Sequence, residues 1–242
     1  MTPVPAATPP WGLAELCGAV AAFAITLMLA VQLMGPADPT DAGTLMLAHL
    51  PAHLVAIAAI LVLGALHGAP GRAALGLRLH GLTRQLLAGL AAYAGFLLLW
   101  VPLVFLGYTA LLHALGLQLP EQATMRWLLE HRDARWFPVL LVVVAGTGPV
   151  MEECFFRGLL QPYLVARLGV LPGILATAAL FGAMHDPPQY LALPIGLIGV
   201  FLGLVRHRTG SLLVPAALHA LHNALMLAVC LSAPHLYQAV YR

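Results

Sequence analysis

From Trp11 to Met34 the chain carries one charged side chain, Glu15, and between Thr44 and Leu66 and between Gln85 and Leu112 it carries none. About 20 apolar residues in a helix cross the roughly 30 Å hydrocarbon layer of a bilayer. Backbone polar groups inside that layer must be satisfied internally, so runs of this kind predict helices rather than loops or open strands. Composition agrees. Hydrophobic residues make up 61% of the 242 and charged residues 8%, against about 45–50% and about 25% in soluble domains. The charges comprise Arg but no Lys and sum to +2, so the basic patch or acidic tail of a nucleic-acid-binding protein is not expected. Cys17, Cys154 and Cys230 are too few and too apolar in setting for a disulfide framework or a zinc cluster.

Apolar length and Gly/Pro breaks predict seven spans: Trp11–Met34, Thr44–Leu66, Gln85–Leu112, Trp136–Leu168, Leu171–His185, Ala192–Val205 and Ser211–Leu231. The fifth and sixth are short, and Asp186, Pro187, Pro188, Gln189 and Tyr190 form a breaker between them. Residues 1–10 have no basic side chain and the following run exceeds a signal peptide's apolar region, so the first span is expected to remain as a helix. The fold class expected is all-α: a polytopic bundle of about seven transmembrane helices around a buried polar cavity, in one integral membrane domain over residues 1–242. A flexible N-terminus is expected over 1–10 and a C-terminal tail over 232–242. Arg72, Arg78 and Arg84, then Arg167, then Arg206 with Arg208 mark three loops on the cytoplasmic side. Asp38 and Asp41 lie in the first opposite loop; in the second, Glu121, Glu130 and Asp133 offset Arg126, Arg132 and Arg135. The inference is N-terminus in, C-terminus out. No inverted repeat is visible, which argues against a secondary transporter.

Ionisable residues within spans are costly, by roughly 2.5–3.5 kcal/mol on insertion scales, and mark functional sites by default. Glu152, Glu153 and Arg157 fall in the fourth span, His185 ends the fifth, and His219, His222 and Asn223 lie in the seventh. At about 1.5 Å of rise per residue, Glu152 stands roughly 22 Å above Arg167, His185 roughly 21 Å above Leu171, and His219 and Asn223 roughly 12 and 18 Å above Ser211. Three helices thus bring acid, imidazole and amide to similar depth. Glu153 and Arg157 share a helix face and can neutralise each other; Glu152 points about 100° away with its carboxylate free. His219 and Asn223 share a face and offer N–H groups. Such a set suits water activation by Glu152 with His185, and stabilisation of a carbonyl oxyanion by His219 and Asn223. The structural alternatives are a helix-orienting ion pair for Glu153 and Arg157, interhelical hydrogen bonding for His219, Asn223 and above all His222, and a helix-terminal role for His185. His49 and His53 are also four apart, with Pro51 between them, but no carboxylate accompanies them as a metal site requires.

The segments Glu152-Glu153-Cys154-Phe155-Phe156-Arg157, Phe181-Gly182-Ala183-Met184-His185 and His219-Ala220-Leu221-His222-Asn223 resemble, in order, the Glu-Glu-x-x-x-Arg, Phe-x-x-x-His and His-x-x-x-Asn motifs of the CPBP family, the CAAX-protease and bacteriocin-processing membrane proteins related to type II CAAX prenyl endopeptidases. The likeness covers about residues 139–229, the expected catalytic core. It implies an intramembrane endopeptidase with Glu152, His185, His219 and Asn223 as its catalytic set and Glu153 and Arg157 in close support; His222, beside them, is kept as a supporting residue and the substitute for His219. The implied partners are the bilayer and a membrane-anchored, CAAX-like or prenylated protein or peptide. The same family includes bacteriocin-immunity factors and scaffolds, so a non-catalytic membrane protein is the alternative. The Lys-free, Ala- and Leu-rich composition points to a bacterial cytoplasmic membrane. No cofactor is the preferred expectation. A divalent metal such as zinc is the other, held by Glu152, His185 and His219. Against it stand the missing His-Glu-x-x-His segment and the absence of an evident carboxylate behind each imidazole, Glu153 being assigned to Arg157.

Overall fold

The protein is described by a computed structural model covering residues 9–34, 42–119, 122–132 and 134–235. Asp38, Asp41, Glu121 and Asp133 lie outside the described residues, as do 1–8 of the expected N-terminus and 236–242 of the expected tail. Among the described residues there are nine helices: α1 Leu13–Leu33, α2 Ala42–Leu66, α3 Gly68–Leu75, α4 Leu82–Ala114, α5 Ala123–Glu130, α6 Phe137–Leu168, α7 Val170–Ala183, α8 Pro188–Thr209 and α9 Leu213–Ser232. Six of them (α1, α2, α4, α6, α8 and α9) are long and apolar enough to cross a membrane, which makes the chain a polytopic helical membrane protein.

Two expectations about the spans need correction. The fifth is the 14-residue α7, about 21 Å long and too short for a full hydrocarbon crossing; it stops at Ala183, so that His185 stands in the turn beyond it. The sixth is not short. α8 has 22 residues because Pro188 starts the helix instead of breaking it, the first turn being where a missing N–H removes no helical hydrogen bond. The breaker therefore shrinks to the turn ending at Pro187.

α6 is continuous over 32 residues and carries Glu152 near its midpoint. Two stretches of it, Val143–Thr147 and Cys154–Leu160, open to π-helical geometry, as does Pro102–Tyr108 in α4. Each adjoins a proline: Pro102 itself, then Pro149, then Pro162. A proline cannot supply the N–H expected by the carbonyl four residues earlier, and a wider turn absorbs the mismatch. Carbonyls in the π-helical stretches of α6 receive side chains from elsewhere. Asn223 Nδ2 donates to Val144 O at 3.0 Å, Arg206 Nε to Arg157 O at 3.2 Å and Trp11 Nε1 to Leu159 O at 3.1 Å. Arg206 is accordingly buried, with Nη2 also donating to Ala74 O at 2.7 Å. It pins α3 and α6 to α8 and is not the free loop cation that the charge count assumed.

Small residues set the helix spacing around α7 and α8. A Cβ at Gly182 would overlap the Ala192 carbonyl oxygen, so these two helices touch backbone to backbone, the contact by which membrane helices gain dispersion energy and close polar bonds. α6 is fastened to α8 at two successive turns: Arg157 Nη2 donates to Gly199 O and Gln161 Nε2 to Gly203 O, both at 3.0 Å. A core of Tyr93, Trp100, Ile198, Leu202, Val214 and Leu218 closes α4 against α8 and α9.

Candidate active site

A cavity of about 670 Å³ opens between α2, α4, α6, α8 and α9. Glu152, His185, His219, His222 and Asn223 all line it. The helix end at α7, the midpoint of α6 and the middle of α9 therefore meet at one place, as the depth comparison anticipated. Glu152 Oε2 lies 4.0 Å from His185 Nε2 and 3.9 Å from His219 Nε2. Both separations exceed a direct hydrogen bond. Glu152 Oε2 is shielded from solvent and has no hydrogen-bond partner among the described residues.

Glu153, one residue on, is engaged on two sides. Its Oε1 accepts from Arg157 Nη1 at 2.6 Å and from His219 Nδ1 at 3.0 Å, all within a fully buried pair. The assumption that Glu153 serves Arg157 alone is thus corrected: a carboxylate does stand behind His219. The reason is invisible along one helix, since His219 arrives from α9, 66 positions away. His185 is fixed as well, its Nδ1 donating to Phe181 O at 2.8 Å. Phe181 lies between these groups. Its ring centroid is 4.9 Å from that of His185 and 5.6 Å from that of His219, and the Arg157 guanidinium sits 4.5 Å over its face.

These tethers dictate which nitrogen carries a proton. A carbonyl or carboxylate oxygen only accepts, so Nδ1 is the N–H in both His185 and His219. In the neutral ring Nε2 is then a bare lone pair aimed towards Glu152. The ring N–H that His219 was expected to present to the cavity consequently requires a second ring proton, at Nε2. Asn223 spends one amide N–H on Val144 O and keeps one. His222 is buried, with Nδ1 2.9 Å from Tyr93 Oη and its ring edge-on to Trp100.

For a metal, the donor chemistry of Glu152, His185 and His219 fits: one carboxylate and two bare imidazole nitrogens, each ring with a partner behind it. The spacing is wide, because two ligands at about 2.0–2.1 Å from a shared tetrahedral ion lie roughly 3.3 Å apart. No group of three His, Cys, Asp or Glu among the described residues has ion-holding geometry.

Sequence reasoning set aside two residues that share this cavity. His49 and His53 of α2 line it too, and the signal that singled out the other residues, a titratable side chain inside an apolar run, applied equally to them. Comparison with known proteins supports the motif reading: residues 134–225 match the family model described as Type II CAAX prenyl endopeptidase Rce1-like. That segment contains Glu152, Glu153, Arg157, His185, His219, His222 and Asn223; His49 and His53 lie outside it. No curated protein and no solved structure matches the chain.

Proposed function

We propose, on the premise that residues 134–225 form an Rce1-like CAAX-protease domain in a multi-pass membrane protein, that this chain hydrolyses a peptide bond of a membrane-associated protein or peptide, with Glu152 as the base that activates water. The observation that carries the reading is the contrast between adjacent carboxylates. Glu153 leaves its Oε2 unpaired but is held through Oε1 by both Arg157 and His219, whereas Glu152 makes no hydrogen bond among the described residues and its buried Oε2 lies between two tethered imidazoles. A carboxylate that only held helices together would have a partner on at least one oxygen, as Glu153 does.

In the proposed reaction a water lies between Glu152 Oε2 and the His185 Nε2 lone pair, a gap one water can bridge. Glu152 takes one proton and the water oxygen attacks the carbonyl carbon of the scissile amide. Charge developing on the carbonyl oxygen meets the remaining Asn223 N–H and the Nε2–H of imidazolium His219. The C–N bond then breaks as the proton held by Glu152 passes to the departing nitrogen, leaving a carboxylic acid and an amine. The apolar remainder of the cavity, including Met46, Val104, Leu191, Ile195 and Met226, suits a hydrophobic side chain or a prenyl group next to the bond.

A second reading draws on the bare Nε2 atoms. Glu152, His185 and His219 would hold a divalent ion such as zinc, which would supply Lewis-acid activation of water and carbonyl; we favour the metal-independent route because of the wide donor spacing. The test is hydrolysis of an S-farnesyl CAAX-type peptide by the purified protein in proteoliposomes. Cleavage should be abolished in Glu152→Gln with unchanged insertion and thermal stability, and should survive a membrane-compatible chelator. Loss on chelation that zinc alone restores would establish the metal route. Cleavage undiminished in Glu152→Gln would refute Glu152 as base, and no cleavage by the unsubstituted protein would leave the non-catalytic reading in its place.

A further inference from the structure

The imidazoles of α2 resemble the catalytic ones in how they are held. His49 Nδ1 donates to Leu45 O at 2.6 Å, and His53 Nδ1 pairs with Thr147 Oγ1 at 3.1 Å. Phe23 of α1 backs both rings, stacked on His53 at 5.9 Å and 11° and tilted against His49 at 6.0 Å. The rings stand 5.6 Å apart. Neither Nε2 has a hydrogen-bond partner among the described residues. Two rotatable side chains have thus been immobilised with one polar atom apiece to spare, on the wall of a cavity that also contains Glu152.

Their position relative to the chemistry follows from Gly148. It precedes Glu152 by four residues on α6 and so shares its face. A Cβ there would come 3.4 Å from His53 Cε1, so His53 lies against α6 at Gly148. His53 is therefore about one helical turn, roughly 6 Å, from Glu152 along the cavity wall, with His49 a turn further along α2. In neutral His49 the Nδ1–H is committed to a carbonyl, which leaves Nε2 as an acceptor. The Thr147 hydroxyl can donate or accept, so His53 Nε2 can take either polarity. An acceptor beside a switchable group, on rings whose centroids stand 5.6 Å apart, suits the edge of an extended peptide, where main-chain groups on one side recur every second residue, at about 6.6 Å.

We propose that His49 and His53 form a subsite that reads the main chain of the substrate peptide, His49 accepting a backbone N–H about three to four residues from the scissile bond. This rests on the peptidase reading above and adds to the Rce1-like segment a contribution from α2, which lies outside it. The experiment measures binding of an S-farnesyl CAAX-type heptapeptide, and of its singly N-methylated series, to Glu152→Gln protein in lipid nanodiscs. The parent peptide should bind about tenfold more weakly when His49→Ala is added, the loss of one hydrogen bond, and His49→Gln, which keeps an acceptor, should recover part of it. One N-methylated peptide should show the same tenfold loss on Glu152→Gln and no further loss on the double variant. With Glu152 restored, His49→Ala should raise KM with kcat within twofold. An N-methyl penalty identical with and without His49, or peptide displacement by micromolar zinc that depends on His49, would overturn the subsite, as would failure of every peptide to bind. Binding with the expected pattern but no hydrolysis by the unsubstituted protein would instead refute the peptidase reading and leave the subsite standing.

Discussion

α1 and α7 are both apolar helices, yet they occupy opposite environments. α1 has 21 residues and only Leu16 and Ala19 buried; its Leu13, Met28 and Leu33 are exposed, as suits a helix facing lipid. α7 has 14 residues and buries Gly173, Ile174, Thr177, Ala178, Phe181 and Gly182. Hydropathy does not separate them. What does is the placement of small residues: glycine and alanine allow α7 to approach α8 at backbone distance, and only such approach lets polar groups find partners without water. The polar cluster of α6 to α9 is built where the packing is closest. α1 is tied to this region at one end through the Trp11 indole on Leu159 O, and at its middle through Phe23 against the α2 imidazoles.

The sharpest way to break the contrast is to unbalance the buried ion pair. Arg157→Met removes the partner of Glu153 and the bond to Gly199 O, and should lower stability by about 3–5 kcal/mol, because a buried carboxylate is left with His219 alone. Thermal unfolding and folded yield in detergent check this; wild-type behaviour would mean that the pair contributes nothing to the close-packed region. Next in size is Asn223→Ala, expected to cut turnover about 100- to 1000-fold with little change in substrate affinity, since its donor matters as charge develops. Steady-state kinetics decide the matter, and a variant that loses stability but not kcat would make Asn223 a clamp on Val144 O only. Gly182→Ala should destabilise by about 1–3 kcal/mol through overpacking against α8, whereas Gly18→Ala in α1, where a Cβ would meet nothing within 4 Å, should stabilise by about 0.5 kcal/mol through helix propensity alone. Matched denaturation of the two variants tests the comparison directly. Equal effects would show that α1 is packed rather than lipid-facing. Smallest of all, Met28→Ala on the exposed face of α1 should stay within about 0.5 kcal/mol of wild type.

The sequence by itself determined a membrane-spanning, all-helical chain and the polar residues that stand at one depth on three helices. Both follow from one-dimensional quantities: apolar run length, the cost of charge in hydrocarbon, and rise per residue. It could not assign His219 to Glu153, because a carboxylate with a good partner four residues away gives no sign of a second from 66 positions along. Nor could it bring His49 and His53 to the cavity of Glu152, since His53 meets Thr147, 94 positions along, and Gly148 only through the packing of α2 on α6. The length of α7 and the start of α8 also depended on context, since Pro188 reads as a breaker until the preceding turn makes it a first-turn residue. Tertiary structure decided these points for a single physical reason. Helix formation is local and leaves its record in the chain, whereas the direction in which a tethered side chain presents its remaining polar atom is set by whichever helix packs against it.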